Sequence, residues 1–216
     1  MDPSKSFYQY ALAADFLVTD EDAADFLQSQ FTNELRPFDL GQATYGLWLS
    51  VKGKVIADSV VICEGAEQFR VISECCAGEL LAAHMERHII ADDVEIEHGE
   101  PGYGLELPAQ AVEALGLKCP KSGRFLRIEG GILYSTQDSL YNMVIYTDSA
   151  AKLVVEELTD LGFIESSPYE RGLARIDRGR PLVPDEIGAA DMPGEGGLER
   201  DAISFTKGCY LCLLYT

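Results

Sequence analysis

Thr44–Val51 (TYGLWLSV), Lys52-Gly53 and Lys54–Cys63 (KVIADSVVIC) decide the fold class. Two runs rich in β-branched and aromatic residues flank a lysine–glycine pair, which is the pattern of a β-hairpin. Gln68–Ser73 (QFRVIS) reads as a third strand, residues 77–90 (AGELLAAHMERHII) as a helix, and Asp93–His98 (DVEIEH) as a further strand. Three strands, a helix and a strand make a small α+β unit with one sheet face covered by helix.

Working outward, the stretch 20–32 (DEDAADFLQSQFT) has apolar residues at helical spacing, with Thr19 as N-cap and Asn33 and Pro37 as terminators. A second phase begins near residue 130. Leu140–Tyr146 (LYNMVIY) reads as a strand. A helix capped by Asp148 or Ser149 runs to Leu161, with Gly162 at the C′ position. Ser166 or Ser167 caps another helix, which has Pro168 at N1, runs to Arg178 and stops at Gly179. Residues 181–201, rich in Pro, Gly and acid, read as a long exposed loop.

The chain has 216 residues, 47% of them hydrophobic and 25% charged, with a formal net charge of −19. This is globular composition with ample material for a core. Phosphate contacts need clustered Lys and Arg. Their absence argues against a direct grip on nucleic acid, and the acidity argues against an anionic membrane surface. No apolar run reaches the ~18 residues of a membrane span. The start, MDPSKSFYQY, lacks a secretory pattern. The six cysteines, at 63, 75, 76, 119, 209 and 212, have no framework spacing. Free thiols in a reducing cytoplasm are expected, with Cys75 and Cys76 buried at the start of a helix.

Several constellations carry little chemistry by spacing alone. His84 and His88 lie at i and i+4, a zinc-compatible spacing, but the sequence is not H-E-x-x-H, and an exposed helix face is the expected reading. Cys209-Tyr-Leu-Cys212 is formally C-x-x-C, yet a structural zinc site needs four ligands. The glycine pairs at 130–131 and 196–197 fit no phosphate-binding fingerprint. Lys207-Gly208-Cys209-Tyr210 is more suggestive, because a lysine two residues before a cysteine can favour thiolate.

Four stretches together resemble one family. They are Asp22-Ala-Ala-Asp-Phe-Leu-Gln-Ser-Gln-Phe-Thr-Asn33, Tyr45-Gly-Leu-Trp-Leu-Ser-Val-Lys-Gly-Lys-Val-Ile-Ala-Asp58, Leu173-Ala-Arg-Ile-Asp-Arg-Gly-Arg-Pro181 and Ala202-Ile-Ser-Phe-Thr-Lys-Gly-Cys-Tyr210. In this order and spacing they resemble the YgfZ family of folate-binding proteins, which is related to the glycine-cleavage T protein. The resemblance implies an α+β, T-protein-like folate-binding fold with an inserted ferredoxin-like lobe. Residues 1–44 and 131–207 would form the first lobe and 45–130 the inserted one. Residues 208–216 would be a truncated or atypical tail, since the family continues into a β-barrel domain.

The resemblance also implies a site and a role. Tetrahydrofolate is the implied cofactor. Asp58 would face the pterin, and Arg171 and Arg175, with Arg178 on the same helix face, would meet the glutamate tail. Lys207, Gly208 and Tyr210 carry the signature, and Cys209 would be the functional thiol. The implied role is assistance in iron–sulfur cluster assembly or maintenance, with iron–sulfur proteins or assembly factors as partners and an indirect effect on tRNA modification. No turnover of its own is expected. Any activity would be folate-dependent aminomethyl or one-carbon transfer. The rival readings are the aminomethyltransferase of the glycine cleavage system and a non-functional fragment. Against the transferase stands Ala57-Asp58, where that enzyme has adjacent aspartates. Its R-T-G-Y-T-G-E stretch also has no counterpart here.

Overall fold

The computed structural model describes residues 3–135 and 140–207. The strands are β1 (Ser6–Ala11), β2 (Ala14–Thr19), β3 (Ala43–Leu49), β4 (Val55–Gly65), β5 (Gln68–Ser73), β6 (Glu95–His98), β7 (Tyr103–Leu107), β8 (Arg124–Ile128), β9 (Gly131–Ser135), β10 (Tyr141–Ile145) and β11 (Ile164–Glu165). The helices are α1 (Ala23–Gln30), α2 (Gly78–Glu86), α3 (Ala109–Ala114), α4 (Asp148–Asp160), α5 (Pro168–Asp177) and α6 (Glu199–Ala202).

The described residues divide into two compact units, one of 3–12, 100–135 and 140–178, the other of 13–99 and 179–207. The sequence reading drew one lobe over 45–130. Pairing draws the boundaries elsewhere because β1 and β2, only two residues apart in the chain, join different sheets. Likewise β7 pairs with β1 and β10, not with the hairpin before it.

The first unit holds a six-stranded sheet in the order β11-β1-β7-β10-β9-β8. Its contacts are antiparallel except the β1–β11 edge. Phe7, Leu105, Leu133, Met143 and Ile145 form its core with Ala151 and Leu158 of α4. The Thr147 hydroxyl, and not Asp148 or Ser149 as expected, caps α4 by accepting from Ala150 N. Ser167 and Glu170 close a full capping box on α5, with Pro168 in the first turn, so this start was legible in the sequence. The glycines at 162 and 179 follow these helices with φ of 86° and 67°, as expected of C′ positions.

The second unit holds the sheet β3-β4-β5-β2-β6. The quoted hairpin is present, and Gly53 closes its turn at φ 72°, donating to Ser50 O at 2.8 Å. Trp48, Phe16, Phe31 and Phe69 are fully buried in this core. Trp48 Nε1 donates to Ser59 Oγ at 2.8 Å, so its one polar group is satisfied.

Three expectations are corrected. The first helix is Ala23–Gln30, shorter than 20–32, because Asp20 has φ 85° and cannot belong to it. Its cap position is Asp22, whose carboxylate accepts from Asp93 N instead of capping the helix. Residues 181–201 are not simply an exposed loop. Val183, Ile187 and Leu198 are buried in the second unit's core, and Asp191 O accepts from Val55 N at 3.1 Å. The pair His84 and His88 is not an exposed face either. His84 is buried, edge-on to Trp48, and burial pushes its pKa down to about 4, so it is neutral at pH 7.

Two glycines give a test of this geometry. A Cβ on Gly131 would lie 1.9 Å from Val144 O, so β9 and β10 approach as closely as they do only with glycine there. Gly172 lies within α5 with nothing near its Cβ position. Gly131→Ala is expected to lower stability by about 1–3 kcal/mol, and Gly172→Ala to raise it by about 0.5–1 kcal/mol. Urea unfolding midpoints of the two variants check the opposite signs.

Candidate functional site

Asp58 lies on β4 opposite Leu47 of β3. Successive side chains on a strand point to opposite faces. Ala57 is fully buried in the core, and the half-buried Asp58 points the other way. Two donors converge on its carboxylate. Tyr45 Oη donates to Oδ2 at 3.0 Å, and Cys76 Sγ donates to Oδ1 at 3.3 Å. The Asp58 N–H in turn donates to Cys76 Sγ at 3.4 Å. Cys76 is held in place by its own N–H, which donates to Ser73 Oγ at 3.1 Å. Beyond Tyr45, the Arg180 guanidinium stands 5.3 Å from the ring centroid and pairs with Asp201 at 3.7 Å.

Electrostatics follow from this enclosure. Burial pushes the Asp58 carboxyl up to about 6, against the hydrogen bonds from Cys76 and Tyr45 that favour its charged form. Burial, with the Asp58 charge, pushes the Cys76 thiol up to about 12, so it acts as an S–H donor and not as a nucleophilic thiolate. Burial is also the main cause that raises Tyr45, followed by Asp58. The cluster therefore presents a carboxyl that exchanges its proton near neutral pH, held by two groups that keep theirs.

Within the first unit, Arg171 of α5 meets Glu106 of β7 through Nε and Nη2, at 3.2 and 3.1 Å from the same oxygen. Arg178 Nη2 reaches the other Glu106 oxygen at 3.2 Å. The Arg171 guanidinium also lies 4.5 Å from the Tyr8 ring centroid and 5.5 Å from that of Tyr10, a cation–π arrangement. Tyr8, Glu106, Arg171 and Arg178 line a cavity of about 490 Å³, with Leu173 and Ala174 on its helix side. That volume is in the range of small-molecule sites. Arg175 is half-buried on α5 and is not among the residues that line this cavity.

Lys207 lies in the second unit and is 8% exposed. Its Nζ donates to the main-chain carbonyls of Gln28, Phe31 and Asn33 at 2.7, 2.6 and 3.0 Å. The sequence reading placed this lysine against the folate, but its three ammonium donors meet carbonyls of the chain itself. Gly208, Cys209, Tyr210 and Cys212 lie outside the described residues. Among the described residues no cluster of His, Cys, Asp and Glu is fit to hold a metal ion.

Sequence reasoning found Asp58 and Arg171 but missed their partners. Tyr45 stood within the hairpin stretch as a strand residue. Cys76 lies eighteen positions from Asp58, and Glu106 sixty-five from Arg171, so only tertiary packing brings them together.

The GCVT N-terminal domain family matches residues 8–138. The chain belongs to this family. Among solved structures, the glycine cleavage system aminomethyltransferase T from Bartonella henselae superposes with a TM-score of 0.75 at 15% identity, over 92% of this chain and 58% of that one. The chain thus spans little more than half the length of that aminomethyltransferase. The heterotetrameric sarcosine oxidase from Corynebacterium sp. U-96 superposes with a TM-score of 0.51 at 14% identity, over 76% of this chain and 89% of that one. At such identities the likeness establishes fold alone, and the fold is the mixed α and β, T-protein-like one expected from the sequence. A search of curated proteins finds no match. No helix among the described residues is long and apolar enough to cross a membrane.

The Asp58 environment predicts a titration. A carboxyl whose folded pKa is raised from 3.8 to about 6 binds its proton more tightly in the folded state. Its contribution favours folding below about pH 4 and is lost as pH rises through 6. Carbon-13 NMR of the Asp58 carboxyl should give a midpoint near 6. Tyr45→Phe, which removes a donor to the charged form, should move that midpoint upward.

Proposed function

We propose that this member of the GCVT N-terminal domain family binds tetrahydrofolate and acts as a YgfZ-type accessory protein for iron–sulfur enzymes in the cytoplasm. The observation that carries the folate reading is Asp58, a half-buried carboxyl with its pKa near neutrality in a fold of the T-protein type. A pterin presents an amino group and ring N–H groups along one edge, and a carboxylate accepts from both in a single plane.

Aminomethyl transfer from the glycine-cleavage H protein is the rival reading. A second carboxylate at position 57 would replace a methyl group that is fully buried in the core. Asp58 therefore acts without an adjacent aspartate. This supports binding of the folate over transfer chemistry on it. The iron–sulfur role and its protein partners rest on the sequence resemblance, with Cys209 as the thiol that serves it.

Anaerobic calorimetry of the full chain with tetrahydrofolate tests the reading. Saturable binding is expected, weakened at least tenfold by Asp58→Ala. Absence of binding, or formation of methylene-tetrahydrofolate from aminomethylated H protein, overturns it. In cells, Cys209→Ser is expected to abolish rescue of iron–sulfur enzyme activity, and full rescue by that variant counts against the thiol role.

A further inference from the structure

Two of the four sequence stretches that carry the family resemblance are bonded to each other. The turn after α1, Phe31-Thr-Asn33, meets residues 201–207 through a run of hydrogen bonds. Thr32 Oγ1 donates to Ala202 O at 2.6 Å and accepts from Leu47 N at 2.8 Å. Asn33 Nδ2 donates to Asp201 O at 3.0 Å and to Tyr45 O at 2.9 Å. Ser204 N donates to Thr32 O at 3.1 Å, and Lys207 N to Ser204 Oγ at 3.2 Å.

Lys207 closes this run. A helix end leaves its last carbonyls without intrahelical partners. At the end of α1, Gln28 O and Phe31 O, with Asn33 O beyond them, converge on one ammonium group. An ammonium has three donors on one tetrahedral nitrogen, and three carbonyls meet it here. A cation is also favoured at the negative end of a helix. The arrangement requires lysine in particular, since a planar guanidinium fork is a different shape.

We infer that Lys207 is a positioning residue, whose ammonium clasps the carbonyls at the end of α1 and so fixes the chain at the residue from which Gly208 and Cys209 continue. The inference rests on reading Cys209 as the functional thiol. It removes Lys207 from the ligand-contacting groups and gives the lysine of the signature a main-chain task. Burial holds Lys207 down near 8, with Glu34 nearby favouring its charge and Arg36 opposing it. Above that pH the amine is neutral and loses one of its three donors.

The test uses the full chain with Lys207→Met and Lys207→Arg. Amide hydrogen exchange is measured without ligand, and alkylation by iodoacetamide is followed at each cysteine by peptide mass spectrometry. In Lys207→Met, exchange over residues 28–33 and 201–207 should rise at least tenfold while β7 and β10 stay unchanged. The Cys209 alkylation profile between pH 6 and 9 should shift by at least half a pH unit, with those of Cys63 and Cys119 unmoved. Lys207→Arg should behave like Lys207→Met.

Unchanged exchange with lost tetrahydrofolate binding would return Lys207 to the ligand. Raised exchange with an unmoved Cys209 profile, or full recovery in Lys207→Arg, would also overturn the inference. Should neither variant fold, the wild-type protein decides. After correction for intrinsic rates, the Ser204 and Lys207 amides should lose at least threefold protection between pH 7 and 9, and constant protection refutes the clasp. A wild-type chain that binds no folate would sink the functional proposal and leave the exchange result standing.

Discussion

Burial of the returning chain segment against the hairpin and α1 is the constraint on which the second unit depends. Val183, Ile187, Leu198 and Ala202 share a core with Phe31, Trp48 and Leu47. Removing that much apolar surface from water is a large favourable contribution, on the order of 1.5–3 kcal/mol for each fully buried Leu, Ile or Val. The polar run from Thr32 and Asn33 to residues 201–204 then sets the register of the contact. Gly46 permits it, because a Cβ there would meet the Phe31 ring at 2.6 Å and Ala202 O at 3.2 Å. The Asp58 cluster inherits this order, since Tyr45 and Arg180 come from the two sides of the same junction.

Much of the fold was legible because its signals are local. The Lys52-Gly53 turn, the third strand at 68–73 and the Ser167 capping box each occupy a few adjacent residues with matching chemistry. Elements whose identity depends on distant pairing were not legible. Strands β1, β2 and β7 carry no turn signature of their own, and the first two lie in different sheets. The apolar residues of 181–201 are spaced too irregularly to announce burial, because no repeating element carries them. At the site, resemblance supplied Asp58, Arg171 and Lys207. The donors around Asp58, and the glutamate between the two arginines, arise only from packing.

Acid and base groups in the second unit balance one another. His84, with its pKa depressed to about 4, binds a proton more readily when the chain unfolds. It therefore opposes folding increasingly as pH falls from about 6.5 toward 4. Asp58 has the reverse dependence over the overlapping window, since its proton is bound more tightly in the folded chain. Between pH 4 and 6 the two contributions run in opposite directions. Across that window the two groups partly offset each other.

Neither unit is a continuous length of chain, as each is assembled from one piece before and one piece after a crossing point. On the ribosome this matters, because synthesis runs from one end only. The hairpin leaves the exit tunnel long before residues 183–202, and β1 long before its edge partner β11. The first sheet therefore waits for its edge strand until residue 165 has been made, and the second for part of its core until residue 202. Nascent chains in that condition draw chaperones and expose unpaired edges. Dissection of this protein at any single peptide bond between β1 and α6 would leave at least one sheet permanently short of its own strands or core.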